Sequence, residues 1–314
     1  MKPHAAHKRT RKPHAEARRE AEQRRDAKRV TAEEQGVIAS RTVDAGERLY
    51  GVMPVLEALR AGHRSVEHIV IAEGAHTHRL RDLLDLARKA NVPVRRAGRA
   101  EFTRVVGEGV NHQGVMGVVA AARYRDADDL LDALAARAGT SDPALAVVLD
   151  GVEDPRNLGA ILRTVECAGA HGVFIPERRA VGLTETVAKA AAGALEHVAV
   201  ARAVNLSRLI DEFKQRGIWT VGTSGEAGME YTAWDYTLPT ALFFGGEGTG
   251  LHRLVRERCD VLVKIPMRGH TESLNVSVAA GIVLYEALRQ RGSARTKATT
   301  MKDEREIAQI ESFN

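Results

Sequence analysis

The sequence predicts a two-module α/β protein, and three features of the chain support this. Short apolar runs suited to strands alternate with segments whose apolar residues recur at helical spacing. The alternation occurs twice, in residues 48–122 and 144–292, and a charged segment, 123–143, separates the two. A length of 314 residues fits two domains at roughly 150 residues each. Strands alternating with helices are typical of a sheet covered by helices.

The first module, residues 48–122, is predicted to be a small sheet with helices. Its helices are indicated by apolar residues three and four positions apart, and its strands by short apolar runs. In chain order we predict a helix at Val55–Arg60, a strand at His68–Ile71, a helix at His78–Ala90, a strand at Val92–Val94, a helix at Ala100–Val106 and a strand at Val115–Ala121.

The second module, residues 144–292, is predicted to be a larger α/β sheet. A short helix and the linker 123–143, which ends in Gly139-Thr-Ser-Asp-Pro143, precede it. We predict strands at Ala146–Leu149, Gly172–Ile175, Trp219–Val221, Ala241–Phe244 and Val261–Ile265. We predict helices at Leu158–Ala168, Val187–Ala194, Leu206–Gln215, Leu251–Arg258 and Val276–Arg291, before the polar tail 293–314.

The net charge of +5 is concentrated at the start of the chain. Residues 1–30 hold eleven Lys or Arg and four Asp or Glu, which leaves 35 of the 46 basic residues and 37 of the 41 acidic residues for the remainder. We therefore expect residues 1–47 to be a basic, disordered tail. Two interpretations stay open, an arm that contacts nucleic acid and a solubilising extension.

Composition excludes several classes of protein. With 44% hydrophobic and 28% charged residues, the chain is not disordered throughout. Its longest apolar run, Val278–Tyr285, is too short for a bilayer, which needs about 20 residues. Two cysteines, Cys167 and Cys259, provide neither a disulfide framework nor a zinc motif. No signal segment opens the chain, and we expect a cytoplasmic protein without a bound metal.

The first of three notable loops, Asp150–Asn157, joins a predicted strand to a helix. Ligands in open α/β sheets bind beyond the carboxyl ends of strands. Asn157 occupies a position suited to a helix N-cap, so capping explains it as readily as a site role. Arg163 follows Gly159 and Ala160, and helical side chains lean toward the N-terminus. Arg163 is therefore expected to reach back toward this loop; a solvated surface arginine is the alternative.

The second loop, Gly245-Gly-Glu-Gly-Thr-Gly250, follows the strand predicted at Ala241–Phe244. Glycine lets a backbone approach a ligand closely. No Gly-Lys-Ser/Thr follows, so the loop is not a P-loop, and its spacing does not match a dinucleotide fingerprint. Glu247 would repel a phosphate. The loop therefore favours a ligand without phosphate, especially one that carries a positive charge, or else it is a flexible turn.

The third loop, Ile265–Asn275, connects a predicted strand to the apolar helix that begins at Val276. Ser273 and Asn275 precede this helix closely enough to cap it, and capping is the commoner role of such residues. The loop alone therefore leaves open whether these side chains belong to a site.

The three loops in this order resemble the three motifs of the SpoU (TrmH-like) RNA ribose 2′-O-methyltransferases of the SPOUT superfamily. The residues that carry the resemblance are Asn157–Arg163, Gly245–Gly248, Ile265-Pro-Met267 and Ser273–Ser277. Two further segments resemble the family's N-terminal substrate-binding domain, which is similar to ribosomal RNA-binding proteins; they are Tyr50–Leu59 and Asn111–Gly114. The two-module form is most similar to the 23S rRNA guanosine-2′-O-methyltransferase group.

The resemblance implies a fold, a cofactor and partners. The fold would be a SPOUT-type α/β catalytic domain with a deep trefoil knot, preceded by a smaller α/β RNA-binding domain. The cofactor would be S-adenosylmethionine, and the substrate a guanosine of 23S rRNA. RNA rather than DNA is implied because the target is the ribose 2′-hydroxyl. A homodimer through the helix at Val276–Tyr285 is also implied.

The resemblance also assigns roles to individual residues. A catalytic role falls on Asn157, Arg163, Glu247, Ser273 and Asn275. Cofactor contacts fall on Thr223, Gly245, Gly246, Gly248, Ile265, Met267 and Leu274. Arg156 is the candidate RNA phosphate contact, with a plain surface arginine as the alternative.

The role of Arg163 stays open between two possibilities. The family proposal is a general base, but deprotonating a guanidinium near neutral pH means lowering its pKa by roughly six units, or about 8 kcal/mol. The other possibility is that a charged Arg163 stabilises the developing 2′-oxyanion. Two other functions also stay open: methylation of tRNA, and a non-catalytic RNA-binding ribosome assembly factor.

Overall fold

The computed structural model describes residues 46–75, 80–107 and 112–311, with side chains described as far as residue 294. Residues from Glu47 onward form one structural unit. Four predictions fall wholly or partly on residues outside this description. They concern the basic tail 1–47, the start of the helix predicted at His78–Ala90, the segment Asn111–Gly114 and the end of the polar tail 293–314.

The first module is a four-stranded sheet in the order β1–β4–β2–β3, covered by helices. Its central strand β4 pairs antiparallel with β1 and β2, and β3 pairs parallel with β2. Strand β1 was not predicted, because its four residues, ERLY, include two charged side chains. The elements are β1 (Glu47–Tyr50), α1 (Val52–Ala61), β2 (Val66–Ala72), α2 (Leu80–Lys89), β3 (Val94–Ala97), α3 (Arg99–Val106) and β4 (Val115–Val119).

The second module is a seven-stranded, wholly parallel sheet in the order β7–β6–β5–β10–β8–β11–β9. All six residues of the central strand β5 are buried, as expected for a parallel strand covered on both faces. The strands are β5 (Leu145–Asp150), β6 (Gly172–Pro176), β7 (Val200–Ala203), β8 (Trp219–Thr223), β9 (Met229–Glu230), β10 (Thr240–Gly245) and β11 (Val261–Lys264).

Six helices accompany this sheet. They are α4 (Ala127–Ala135), α5 (Pro155–Cys167), α6 (Glu185–Ala190), α7 (Leu206–Gln215), α8 (Arg253–Arg258) and α9 (Val276–Glu311). The predicted helix Val187–Ala194 ends early, at Ala190, because Ala192 and Gly193 both have a positive φ before a short 3₁₀ turn at Ala194–Glu196. Helix α9 was predicted to end at Arg291 but continues to Glu311; no proline interrupts residues 292–311.

The start of α5 corrects one prediction. We expected Asn157 at the helix N-cap, but Asp154 caps the helix and its carboxylate accepts a hydrogen bond from the Arg156 N–H. Pro155 then occupies the first helical turn, where its missing N–H costs nothing. Asn157 therefore lies inside the helix, on its buried face.

The two modules are joined through a buried arginine. Arg64, in the turn between α1 and β2, donates to Glu47 of β1 and to Glu196 of the second module. Its side chain is 7% exposed and that of Glu196 only 2% exposed. Nearby, His197 Nε2 lies 3.0 Å from a Glu57 carboxylate oxygen. Hydrogen bonds to His197 and Arg60 hold the pKa of Glu57 below its usual value, although burial acts in the opposite direction.

No helix in the part of the chain that the structure describes is long and apolar enough to cross a bilayer.

Candidate active site

Four adjacent strands, β5, β10, β8 and β11, end at the same edge of the parallel sheet and bring the three loops together. Asp150, the last residue of β5, lies opposite Gly245, the last residue of β10. The two loops stay in contact beyond the strands, because the Gly246 N–H donates to the Asp150 carbonyl at 2.7 Å. Segments about 95 residues apart in sequence thus form one continuous backbone surface.

Two glycines of the second loop are required by this close packing. A Cβ atom on Gly245 would overlap the backbone of Gly250 and Leu251, and one on Gly246 would overlap the carbonyl of Gly151. All of these contacts are backbone, which cannot move aside as a flexible side chain can. The glycines therefore allow the loop backbone to pack directly against neighbouring backbone, and do not serve only to make the loop flexible.

Replacing Gly246 with alanine is expected to abolish cofactor binding, because the new methyl group would push the second loop away from Gly151. Isothermal titration with S-adenosylmethionine measures this effect. Gly228→Ala is the matched control, since a Cβ there meets nothing within 4 Å. Equal cofactor affinity in Gly246→Ala and the wild type would show that the loop packing is not needed for binding.

The second and third loops, together with the ends of β8 and β11, enclose a cavity of about 1040 Å³. Every residue predicted to bind the cofactor lines it, namely Thr223, Gly245, Gly246, Gly248, Ile265, Met267 and Leu274. The Thr223 hydroxyl donates to the Phe243 carbonyl at 3.0 Å, which ties β8 to β10 beneath the cavity. The volume exceeds what a ligand of cofactor size needs.

The charge of the lining suits a cationic ligand. Glu230, Glu247 and Glu272 contribute carboxylates to the cavity. The basic lining residues are Lys264 and Arg256, and Arg256 donates to Glu226 at 3.1 Å. A sulfonium and an ammonium group, such as S-adenosylmethionine carries, therefore fit the donor set better than a phosphate would.

An amide–carboxylate cluster lies at one side of the cavity and contains three of the predicted catalytic residues. Asn157 Nδ2 donates to Glu247 Oε1 at 2.6 Å. Asn275 Nδ2 donates to the same oxygen and to Asn157 Oδ1, each at 3.0 Å. The structure thus joins the three motifs through one side chain from each.

Asn275 has two roles at once. Its Oδ1 accepts hydrogen bonds from the Ser277 and Val278 N–H groups at the start of α9, as the capping alternative predicted. Because Oδ1 must therefore be an acceptor, Nδ2 is fixed as the donor toward Glu247. Glu247 Oε2 accepts no hydrogen bond from any residue that the structure describes. That oxygen is available to a ligand.

The structure does not bring Arg163 to this cluster. Arg163 lies six helical positions after Asn157, which is about 9 Å along the axis and about 240° around it. Arg163 is exposed and lines neither of the two cavities in this region. Glu247 pairs with the two asparagines and not with Arg163.

Two other predicted residues lie at the surface. Ser273 is exposed and lines the rim of the large cavity. Arg156 is exposed in the first turn of α5 and lines neither cavity. Both are accessible to a large partner such as RNA, and neither is held by the cluster.

Sequence reasoning missed a paired aspartate and histidine beside the cluster. Asp150 is 4% exposed, and its carboxylate accepts from the His252 N–H at 2.8 Å and lies 2.9 Å from His252 Nδ1. His252 lines a second cavity of about 340 Å³, which also touches Asn157 and Glu247. The signal was present in the sequence, because the two residues end a strand and follow the glycine loop, respectively.

Neither cysteine is suited to nucleophilic chemistry. Burial raises the pKa of Cys259 to about 12, and the neighbouring Asp260 carboxylate adds to the effect. Cys167 lies outside both cavities, and its partial burial and its contact with Glu166 raise its pKa as well. Because the thiolate is the reactive form, the site depends on other groups.

A parallel sheet whose loops build a cavity suited to a cationic ligand, preceded by a separate small module, fits the methyltransferase class that the three motifs resemble. Comparison with known proteins identifies the family. Residues 144–285 match the SpoU rRNA Methylase family, and residues 48–125 match the RNA 2′-O ribose methyltransferase substrate binding family. The chain belongs to the SpoU rRNA methylase family.

Relatives and solved structures agree. The chain is 45% identical to the 23S rRNA (guanosine-2′-O-)-methyltransferase RlmB of Pseudomonas syringae pv. tomato, over 79% of this chain and 98% of that protein. It is 43% identical to the putative TrmH family tRNA/rRNA methyltransferase YacO of Bacillus subtilis, over 77% and 94%. It is similar to the SpoU methyltransferase AviRb of Streptomyces viridochromogenes in complex with AdoMet, with a TM-score of 0.64, 27% identity, and 78% and 90% coverage.

These findings confirm the resemblance, the α/β fold class, the enzyme class and the cofactor. The protein is an S-adenosylmethionine-dependent RNA 2′-O-methyltransferase. The trefoil knot, the homodimer, the domain boundaries and the roles of individual site residues stay predictions.

Proposed function

We propose that this enzyme methylates the ribose 2′-oxygen of a guanosine in 23S rRNA, in the cytoplasm. The relatives named for that activity in Pseudomonas and Ralstonia are 43–45% identical to this chain, and it spans 97–98% of their length. The observation that carries the proposal is the cluster of Asn157, Glu247 and Asn275 beside a cavity of cofactor size.

S-adenosylmethionine supplies a methyl group that its sulfonium already activates. The chain's own residues have two tasks, to orient the 2′-oxygen in line with that methyl and to assist loss of its proton. The free oxygen of Glu247 is placed to accept a hydrogen bond from the 2′-hydroxyl. Asn157 and Asn275 hold that carboxylate in a single orientation.

In the predicted homodimer, Arg163 would act in the active site of the partner subunit. Three exposed apolar residues of α9, namely Val278, Tyr285 and Leu288, form a stripe along the helix. Helix α5 packs beside it, with the Thr164 methyl 3.9 Å from the Cβ position of Gly281. A second copy seated on this face would cover the stripe and bring Arg163 toward the partner's site, where it would stabilise the developing oxyanion.

The test is methyl transfer to defined RNA pools. The protein is incubated with methyl-labelled S-adenosylmethionine and unmodified large-subunit rRNA, small-subunit rRNA or tRNA. Nuclease digestion and mass spectrometry then locate any ribose methyl. We expect label at a guanosine of large-subunit rRNA. Label in tRNA alone would replace the substrate, and absence of cofactor binding would favour the non-catalytic assembly factor.

A further inference from the structure

The second cavity adjoins the cofactor cavity and shares part of its wall. Glu247, Thr249 and Val276 line both cavities, and Asn157 lines the second. A nucleotide whose ribose lay against Glu247 would have its 2′-oxygen at the boundary with the cofactor cavity. Its base would then extend into the second cavity. At about 340 Å³ this space lies within the range of small-ligand pockets.

One carboxylate that lines the second cavity has no hydrogen-bond partner among the described residues. The Asp154 carboxylate caps α5, and Glu247 is engaged with two asparagines. The exposed Glu153 makes no hydrogen bond or ion pair with any residue that the structure describes. A carboxylate with both oxygens open can accept two parallel hydrogen bonds from a planar donor edge.

His252 is held in place although it lies at the surface. Its side chain is 52% exposed, yet the buried Asp150 binds both its backbone N–H and its Nδ1. Because a carboxylate only accepts, Nδ1 carries a proton in this contact and Nε2 stays open to a ligand. Nε2 has no partner in the described part of the chain. An oriented, unpartnered ring at the edge of a cavity is suited to contact a ligand.

We propose that the second cavity holds the target guanosine, with Glu153 accepting from its N1–H and N2 amino groups and His252 contacting the nucleotide through Nε2. Guanine is the RNA base whose Watson–Crick edge presents two adjacent donors, and single-stranded bases are read at such edges. Adenine and cytosine each present a ring-nitrogen acceptor beside their amino group, which a carboxylate would repel. The inference rests on the proposed function and assigns its base specificity.

The experiment uses a 23S rRNA fragment that contains the methylation site located by the RNA-pool experiment. The target position carries either guanosine or inosine, which lacks the N2 amino group. Initial rates are measured against fragment concentration for the wild type, Glu153→Gln and His252→Ala. Glu257→Gln and Asp129→Asn are the controls, since both residues are exposed, lie outside the substrate-binding module and line neither cavity. Calorimetry measures S-adenosylmethionine affinity for each protein.

We expect the wild type to prefer guanosine over inosine by about tenfold in kcat/KM, and Glu153→Gln to lose most of that preference. His252→Ala should raise the KM for RNA about tenfold with unchanged cofactor affinity, and both controls should match the wild type. An unchanged guanosine preference in Glu153→Gln, or an unchanged KM in His252→Ala, would overturn the assignment. A wild-type protein that methylates neither fragment would contradict the proposed function instead.

Discussion

Replacing Arg163 with alanine is expected to lower methyl transfer about 10²–10³-fold while leaving cofactor affinity unchanged. Loss of one charged or hydrogen-bonding group that stabilises a developing oxyanion has effects of this size. Cofactor binding should survive, because Arg163 is exposed and does not line the cofactor cavity. Single-turnover transfer and calorimetry measure the two quantities separately. Loss of cofactor binding in this variant would contradict the assignment.

The lysine variant distinguishes charge from geometry. Arg163→Lys keeps a positive charge but lacks the planar fork of donors. If Arg163 acts as a charged stabiliser of the oxyanion, we expect Lys to restore part of the lost rate. Equal inactivity of the lysine and alanine variants would indicate that the fork itself is required. Stability should change by less than about 0.5 kcal/mol in both, since the site is exposed.

If the enzyme is the proposed homodimer, mixed dimers determine whether Arg163 acts in its own subunit's site or in the partner's. A dimer of one Arg163→Ala subunit and one Gly246→Ala subunit has one intact cofactor site. That site has lost its own arginine but faces an intact arginine on the partner. Recovered transfer in the mixture would show that Arg163 acts across the interface, whereas an inactive mixture would place it in its own subunit's site.

The sequence predicted the central strands well, because these depend on local patterns. The run Ala146–Leu149 is apolar throughout, and such runs are typical of strands buried on both faces. The strand β7 was missed because its sequence, VARA, includes a charged residue and two alanines. Its position at the edge of the sheet is set by pairing with β6, which no local pattern reveals.

The candidate site was predicted only in part, because its side chains come together from distant positions in the sequence. Each motif residue could be assigned from its own loop, but the bonds among Asn157, Glu247 and Asn275 join positions 28 to 118 residues apart. The pair of Asp150 and His252 spans 102 residues and went unnoticed. The reach of Arg163 was argued from a side-chain preference alone, and the rotation of α5 determines instead which face that residue occupies.

Replacing Arg64 with alanine is expected to destabilise the protein by about 3–5 kcal/mol, as is usual when one partner of a buried ion pair is removed. Its guanidinium donates to Glu196 Oε2 at 3.0 Å and to Glu47 Oε2 at 2.9 Å. Without it, the buried Glu196 carboxylate has lost its charged partner. Urea denaturation measures the free energy of unfolding. Arg60→Ala is the control, since the Arg60 side chain is 47% exposed and pairs with Glu57 within its own helix, and its loss should change stability by less than about 1 kcal/mol.

A second substitution distinguishes the destabilisation caused by an unpaired carboxylate from the destabilisation caused by lost packing. Glu196→Gln introduced into the Arg64→Ala protein removes the uncompensated charge but keeps the side-chain volume. Because desolvating an unpaired carboxylate costs more than desolvating an amide, we expect the double variant to be more stable than Arg64→Ala alone. If Glu196→Gln gives no recovery, the loss came from packing around the arginine stem. The contact between the two modules would then depend on shape and not on charge.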